Sequence, residues 1–400
     1  MPITYDPDTN TIVITGTKNG NPYSFEDIYQ ADQANGWNKF TKLSEGVYKT
    51  TAKLQFGDGS TETLFEEKGT TLIVENTASK DWGTIITFKA NCNATFGEYE
   101  EVNGEKVVKN GVEFQFRETN YFANAIKHEY GSNVCYYACK FKLLKDSKRV
   151  DIEEYVKEMT GCVSEILLEH LRYTKINRCL IIGREGNLSG GEGYSLSNTL
   201  IDTIKENALW IPNISLTIRG LVAVYSDRLA TLDKLQSPNV VKLINCKPYN
   251  WKVKWYLAEG SVSGELQRIY AIRFKVTDVN GNPLASREIK VYDRNGNKVA
   301  EAVTDSNGLT DEVEILYAKL TNPYSDGQWH TFDEDDWEYF NPFTIEVYYG
   351  NELEYKGILT ELDVDSTFIQ ITVKPSSLTL NDVIKEIKKH DVKMTALKFV

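Results

Sequence analysis

From Lys53 to about Tyr256 one kind of segment keeps returning. It is a short run of β-branched and aromatic residues, separated from the next by Gly, Asn or Asp, as in residues 71–76 (TLIVEN), 83–90 (GTIITFKA), 111–118 (GVEFQFRE), 178–183 (RCLIIG) and 239–246 (NVVKLINC). Such runs are too short for helices and rich in strand formers, and the separating residues are those that accept tight turns. They begin at intervals of roughly twenty residues, the length in which a β-helix completes one coil. No single run can bury an apolar face alone, so the runs must stack on one another. The reading is all-β: a right-handed parallel β-helix (solenoid) over 53–262, followed by a β-sandwich over 267–375 and a short C-terminal helix.

Two stretches resist that pattern. Residues 151–171 (DIEEYVKEMTGCVSEILLEHL) and 196–209 (LSNTLIDTIKENAL) place apolar residues at helix-like intervals. They read either as lateral insertions or as further strands of the same stack.

The first 52 residues suit a cap for such a stack, whose end would otherwise offer open strand edges to water. Residues 3–16 read as strand, turn, strand. Ser24 then stands as an N-cap, with Glu26 and Asp27 in the first turn and Phe25, Ile28 and Tyr29 at helical spacing. Asn35-Gly36 supplies the left-handed close.

After Gln267 the alternation in IRFKVTD and EIKVYD marks two strands, and Asn280-Gly281 and Asn295-Gly296 mark tight turns. Over residues 376–400, Thr379 can cap an amphipathic helix whose Leu380, Val383, Ile384 and Ile387 share a face. A helix of about three turns is marginal alone, so that face is expected to dock on another copy of the chain.

Two resemblances follow from these residues. Asp278, Asn280, Gly281, Pro283 and Leu284, then Val291, Asp293 and Gly296, then Thr304, Asp305, Ser306, Asn307, Gly308 and Leu309 form a pattern that resembles the Ig-like modules of prokaryotic surface and phage proteins. The segments ITYDPDTNTIVITG and NPYSFEDIYQADQANGW resemble the opening of uncharacterised archaeal and viral proteins of the parallel β-helix type. The first covers about a quarter of the chain and implies a fold rather than an activity.

The net charge of −12, from 45 basic and 57 acidic residues, argues against a nucleic-acid-coating role, which needs a basic face. No run of about eighteen apolar residues occurs, so no membrane insertion is expected. The opening MPITYDPDTN lacks the basic, apolar and small-residue regions of an export signal. The six cysteines make no CxxC pair and read as buried small hydrophobes of the stack rather than disulfides or a zinc site. Cys135 and Cys139, four apart, are expected on one face of a strand.

Motifs with chemistry attached are few. Leu188-Ser189-Gly190-Gly191-Glu192 looks like the signature motif of ABC-type ATPases, but the GxxxxGK[ST] loop that reading requires is missing from the chain. His128, His170, His330 and His390 have no metal-binding spacing. Asp151, Glu153 and Glu154, or Glu165 with Glu169, could serve as the carboxylates of a polysaccharide lyase or glycosidase, yet with 57 acids such clusters also arise on any solvated face. No catalytic residue, cofactor or metal is therefore expected; Ca²⁺ is the one ion an acidic loop would suit. The strongest contact candidate is GQWHTFDEDDWEYFNPF, in which Trp329, Asp333, Asp335, Asp336, Trp337 and Tyr339 combine rings with carboxylates.

These readings lead to an expected function: a non-enzymatic virion structural protein of a prokaryotic (bacterial or archaeal) tailed virus, as capsid decoration, turret or tail fibre. Its partners would be itself, as a trimer or else a pentamer, other virion proteins, and host-surface glycans. It would reside in the virion, assembled in the host cytoplasm. The rivals are a cell-surface or extracellular adhesin or sheath protein, and a carbohydrate-active β-helix lyase or glycosidase.

Overall fold

The structure, a computed structural model, describes residues 2–75, 84–117, 123–144, 150–183, 188–190, 194–203, 207–362 and 368–373. Among them the chain is all-β, with one α-helix, Phe25–Asn35, and one 3-10 turn, Glu334–Asp336. It divides into two compact units. The first comprises Met1–Gln267 and Lys319–Trp337; the second comprises Arg268–Ala318 and continues from Glu338.

Three sheets build the first unit. The first sheet runs from Ile3–Asp6 through Thr11–Ile14 and Lys53–Phe56 to Val253–Tyr256, and ends on Trp329–Phe332. The second runs from Phe40–Ser44 to Val222–Tyr225, and the third from Thr63–Glu67 through Val240–Ile244. The chain visits them in a fixed cycle. Val150–Glu154 of the first sheet leads to Glu158–Thr160 of the third and Val163–Ser164 of the second; Leu167–Leu171, Lys175–Asn177 and Leu180–Gly183 then repeat the order. Within the cycles, strands pair in parallel with their counterparts one cycle away: Tyr136, Met159, Ile176, Leu196, Ile218 and Leu243 align across the third sheet.

The three sheets share one interior. Phe56 of the first sheet meets Phe65 of the third at 4.7 Å, and Phe96 of the third meets Phe114 of the second at 5.3 Å. Identical positions stack ring on ring, Phe56 on Phe88 and Phe114 on Phe141. Parallel strands buried on the inner face need such apolar filling, and each ring adds contact beyond its area.

The corner between the third and second sheets explains both the cysteines and the helix-like stretches. There a single left-handed residue follows the strand: Ala138, Gly161, Arg178, Asn198, Gly220 and Asn245 all have φ between 48° and 64°. Its N–H donates to the carbonyl ending the next cycle's strand, as from Ala138 to Thr160 and from Gly161 to Asn177, each at 3.0 Å. The following residue turns inward and is Cys139, Cys162, Cys179, Thr199, Leu221 or Cys246. Each thiol donates to the carbonyl two residues back, Cys162 to Thr160 and Cys179 to Asn177, as the Thr199 hydroxyl does to Ser197. All six cysteines are free thiols. Residues 151–171 and 196–209, where described, are strands and not helices. Strands of two to five residues joined by these corners put Val156, Met159 and Cys162 inward three apart, which imitates a helix period. The same corner separates Cys135 from Cys139: the inward residue of that strand is Tyr136, so Cys135 faces outward and Cys139 inward.

The helix closes one end of this interior. Ser24 and Asp27 form a capping box, and Gly36 at φ 68° ends the helix by donating to Asp32. Phe25 sits within 6.4 Å of Phe40, Tyr48, Phe65 and Phe96. Asp32, fully buried, accepts from the backbone N–H groups of Asn38, Lys39 and Phe40, which fixes the chain's exit. Glu67, also buried, accepts from the Phe25 N–H at 2.7 Å. Burial pushes its carboxyl up despite that bond.

In the second unit, Lys298–Val303, Glu288–Tyr292, Phe343–Tyr349 and Glu352–Leu359 form an antiparallel sheet in that order, and Phe274–Thr277 pairs in parallel with Ile369–Thr372. The three Asp-x-Asn-Gly turns share one geometry. Asp278, Asp293 and Asp305 each accept from the N–H groups two and four residues on, and Gly281, Gly296 and Gly308 take φ of 84°, 83° and 69°. Carboxylates bonded in this way are held below the usual range.

Candidate functional site

Residues 329–339 separate into several local environments. Trp329–Phe332 pairs antiparallel with Val253–Tyr256 and is the last strand of the first sheet. Trp255 on that neighbouring strand is fully buried, so Lys254 and Tyr256 face outward. Trp329 lies on them: its ring is 5.3 Å from Tyr256 and 6.3 Å from Trp210, with Lys254 Nζ 5.1 Å from its centroid. It remains 41% exposed. Asp333, Asp335 and Asp336 are exposed; Asp336 accepts from the Asp333 N–H, and Asp333 lies 3.4 Å from Lys252. Trp337 is buried against Trp251, and Tyr339 packs on Tyr317 in the second unit. Of the six residues, Trp329 is thus the one that presents a ring to solvent within an aromatic cluster. Leu380, Val383, Ile384 and Ile387 lie outside the described residues.

A second aromatic surface lies where the first sheet turns into the third. Three successive cycles each put a tyrosine there: Tyr130, Tyr155 and Tyr173. Tyr130 and Tyr155 meet edge to face at 5.3 Å; Tyr155 and Tyr173 lie nearly parallel at 6.5 Å. Tyr130 is 74% and Tyr173 51% exposed. With Ser132, Lys157 and Arg172 they line a cavity of about 180 Å³. The backbone holds the alignment, since Lys157 N–H donates to Val134, Arg172 N–H to Glu154 and Lys175 N–H to Lys157. Neither Lys157 nor Arg172 makes an ion pair among the described residues, whereas Lys89, Lys106 and Lys142 do. Sequence reasoning missed this site because the rings are far apart in the chain. A signal existed: the segments Glu129-Tyr130, Glu154-Tyr155 and Arg172-Tyr173 each set a tyrosine after a charged residue at the cycle interval.

The carboxylate candidates fall on the first sheet. Asp151 and Glu153 flank inward-facing Ile152, so both project from the outer face, and both are buried. Burial first, and then the neighbouring Asp151, push the Glu153 carboxyl up. Glu154 lies 3.7 Å from Lys127. Glu165 accepts from the Leu143 N–H at 3.3 Å, on the outside of the second sheet's corner. His128 is interior, bonded to the Tyr136 hydroxyl and the Glu153 carbonyl; His330 stacks on Tyr324 at 4.1 Å and meets Asp326 at 3.0 Å. Leu188–Gly190 is a strand of the first sheet, so the LSGGE motif begins inside a ladder rather than in a phosphate-holding loop. No group of three or more metal-ligating side chains occurs among the described residues, and no described helix is long and apolar enough to cross a membrane.

Comparison with family models, with curated proteins and with solved structures returns no match.

Proposed function

We propose that the first unit is a right-handed parallel β-helix, and that the protein is a non-enzymatic virion structural component of a prokaryotic tailed virus. As capsid decoration, turret or tail fibre it would act through repeated protein–protein contacts and through host-surface glycans. The tyrosine corner carries this reading. Each cycle advances the stack by about 4.8 Å, so a ring repeated on successive cycles makes a linear surface in step with the backbone. Such a surface suits a partner that is itself repetitive. The cyclic visiting order of three parallel sheets, with a helix over one end, supports the β-helix. The repeated Asp-x-Asn-Gly turns and the four-stranded antiparallel sheet support the Ig-like module in the second unit. The virion assignment itself rests on the two sequence resemblances, which a surface adhesin or sheath protein would share.

A carbohydrate-active reading has one observation in its favour, the buried outward pair Asp151 and Glu153. The raised Glu153 carboxyl is what a general acid needs, but burial raises structural acids in the same way. Release of new reducing or unsaturated ends from a glycan panel, abolished by Glu153→Gln, would establish it over the structural reading.

Assembly tests the structural reading directly. The full chain is expected to scatter light as a homo-oligomer, with a trimer favoured. Deleting residues 376–400 should bring the mass down to one chain while the β-signal in circular dichroism persists. A full chain that is monomeric at assembly concentrations would remove the basis for repeated contacts.

A further inference from the structure

We propose that the tyrosine corner is a subsite for an acidic sugar, a pyranose ring bearing a carboxylate. The inference rests on the recognition reading above and names its ligand chemistry. Aromatic rings left open on a folded surface carry an apolar face with a polar rim, the character that matches the C–H face of a sugar and its hydroxyls. Here Tyr130, Tyr155 and Tyr173 are arrayed rather than scattered, and the cavity beside them, about 180 Å³, holds one ring rather than a drug-sized ligand. Ser132 Oγ, buried at its lining, has no hydrogen-bond partner among the described residues.

Charge identifies the acid. The chain carries −12, and several cations of the first unit are paired with glutamates, as Lys68 is with Glu98, Lys89 with Glu129 and Lys106 with Glu158. Lys157 and Arg172 flank the tyrosines without such a partner among the described residues. A guanidinium offers a carboxylate two parallel N–H bonds, which fixes orientation as well as affinity, and Lys157 adds a point charge on the same cavity. Stacked bases with phosphates would also meet rings and cations, but a cavity that holds one ring favours a single sugar over a run of bases.

The test is calorimetric titration of the full chain with hexagalacturonate and with N-acetylneuraminic acid, beside maltohexaose as the neutral sugar and oligothymidylate as the nucleic acid. At least one acidic sugar is expected to bind, more weakly as salt rises, with maltohexaose weaker by roughly tenfold or more. Arg172→Gln and Tyr173→Ala, both at exposed positions, should each weaken that binding by roughly tenfold without altering the circular dichroism. Failure of both acidic sugars to bind at about 10 mM, an affinity unchanged in both variants, or tighter binding of oligothymidylate would overturn the proposal. None of those outcomes touches the oligomeric mass, so this subsite and the structural reading can fail separately.

Discussion

His128 lies among the three sheets with Phe88 stacked on it at 5.1 Å and both ring nitrogens bonded, to the Tyr136 hydroxyl and the Glu153 carbonyl. Burial holds its pKa down to about 4, against the pull of the Glu153 carbonyl. Above the ordinary value of 6.5 neither the folded nor the unfolded chain protonates this ring. As pH falls below 6.5 the unfolded chain takes the proton and the folded chain does not, until about 4. Stability is therefore fully present above 6.5 and lost between 6.5 and 4, by roughly 3 kcal/mol. Glu67 and Glu153, whose carboxyls burial raises, work in the opposite sense over part of that window. Comparison with His128→Phe isolates the histidine. The variant keeps a ring against Phe88 but orphans two polar groups, so at pH 7.5 it should be less stable by about 1–3 kcal/mol. By pH 4.5 that deficit should shrink or reverse in denaturant titrations. A deficit that stays constant from 7.5 to 4.5 would mean His128 does not titrate as its burial implies.

Among the elements, the exposed hairpin Glu98–Val102 with Glu105–Lys109 shows how an insertion leaves the stack without breaking it. It departs at Gly97 and returns at Gly111, on the corner that later cycles cross in two residues. A Cβ at Gly97 would stand 1.9 Å from the Tyr137 carbonyl oxygen, and one at Gly111 would stand 2.0 Å from that of Ala138. The next cycle's backbone passes directly over both. The hairpin then lies back on later cycles: Lys106 Nζ reaches Glu158 at 2.5 Å and the faces of Tyr99 and Tyr137, and Arg178 reaches Glu105 at 2.5 Å. Gly111→Ala should cost roughly 3 kcal/mol or more, because backbone and not a flexible side chain must move. Gly104→Ala, at the hairpin tip with open space around it, should cost only the strain of its φ of 79°, roughly 1 kcal/mol. Equal melting temperatures for the two variants would contradict this packing. The capping helix was legible in the chain because its signals are local: Ser24, Asp27 and Gly36 act on neighbours within four residues. The strands of 151–171 were ambiguous because their periodicity is set by corners that only the stacked neighbours stabilise.

At the scale of the whole molecule, the recurrence of short strand-forming runs identified an all-β chain with stacked segments, and the paired Asn-Gly turns marked the start of a different unit. What the sequence left open was placement. Nothing local says that Trp329–Phe332, following strands of the second unit, returns to extend the first sheet, since that pairing depends on an edge left by Val253–Tyr256. The tyrosine corner was equally hidden, because its members share a surface only through the cycle register. That register is the central claim, and it can be read by cross-linking. Lys175 and Ser195 are exposed, opposite one another on adjacent parallel strands of the third sheet, while Thr217 lies one strand further on. Neighbouring strands about 4.8 Å apart fall within disulfide reach, and twice that distance does not. On mild oxidation of the full chain, peptide mapping of Lys175→Cys/Ser195→Cys should yield the linked pair, and Lys175→Cys/Thr217→Cys should not. Cross-linking of the second pair in preference to the first, or of neither, would contradict the stack.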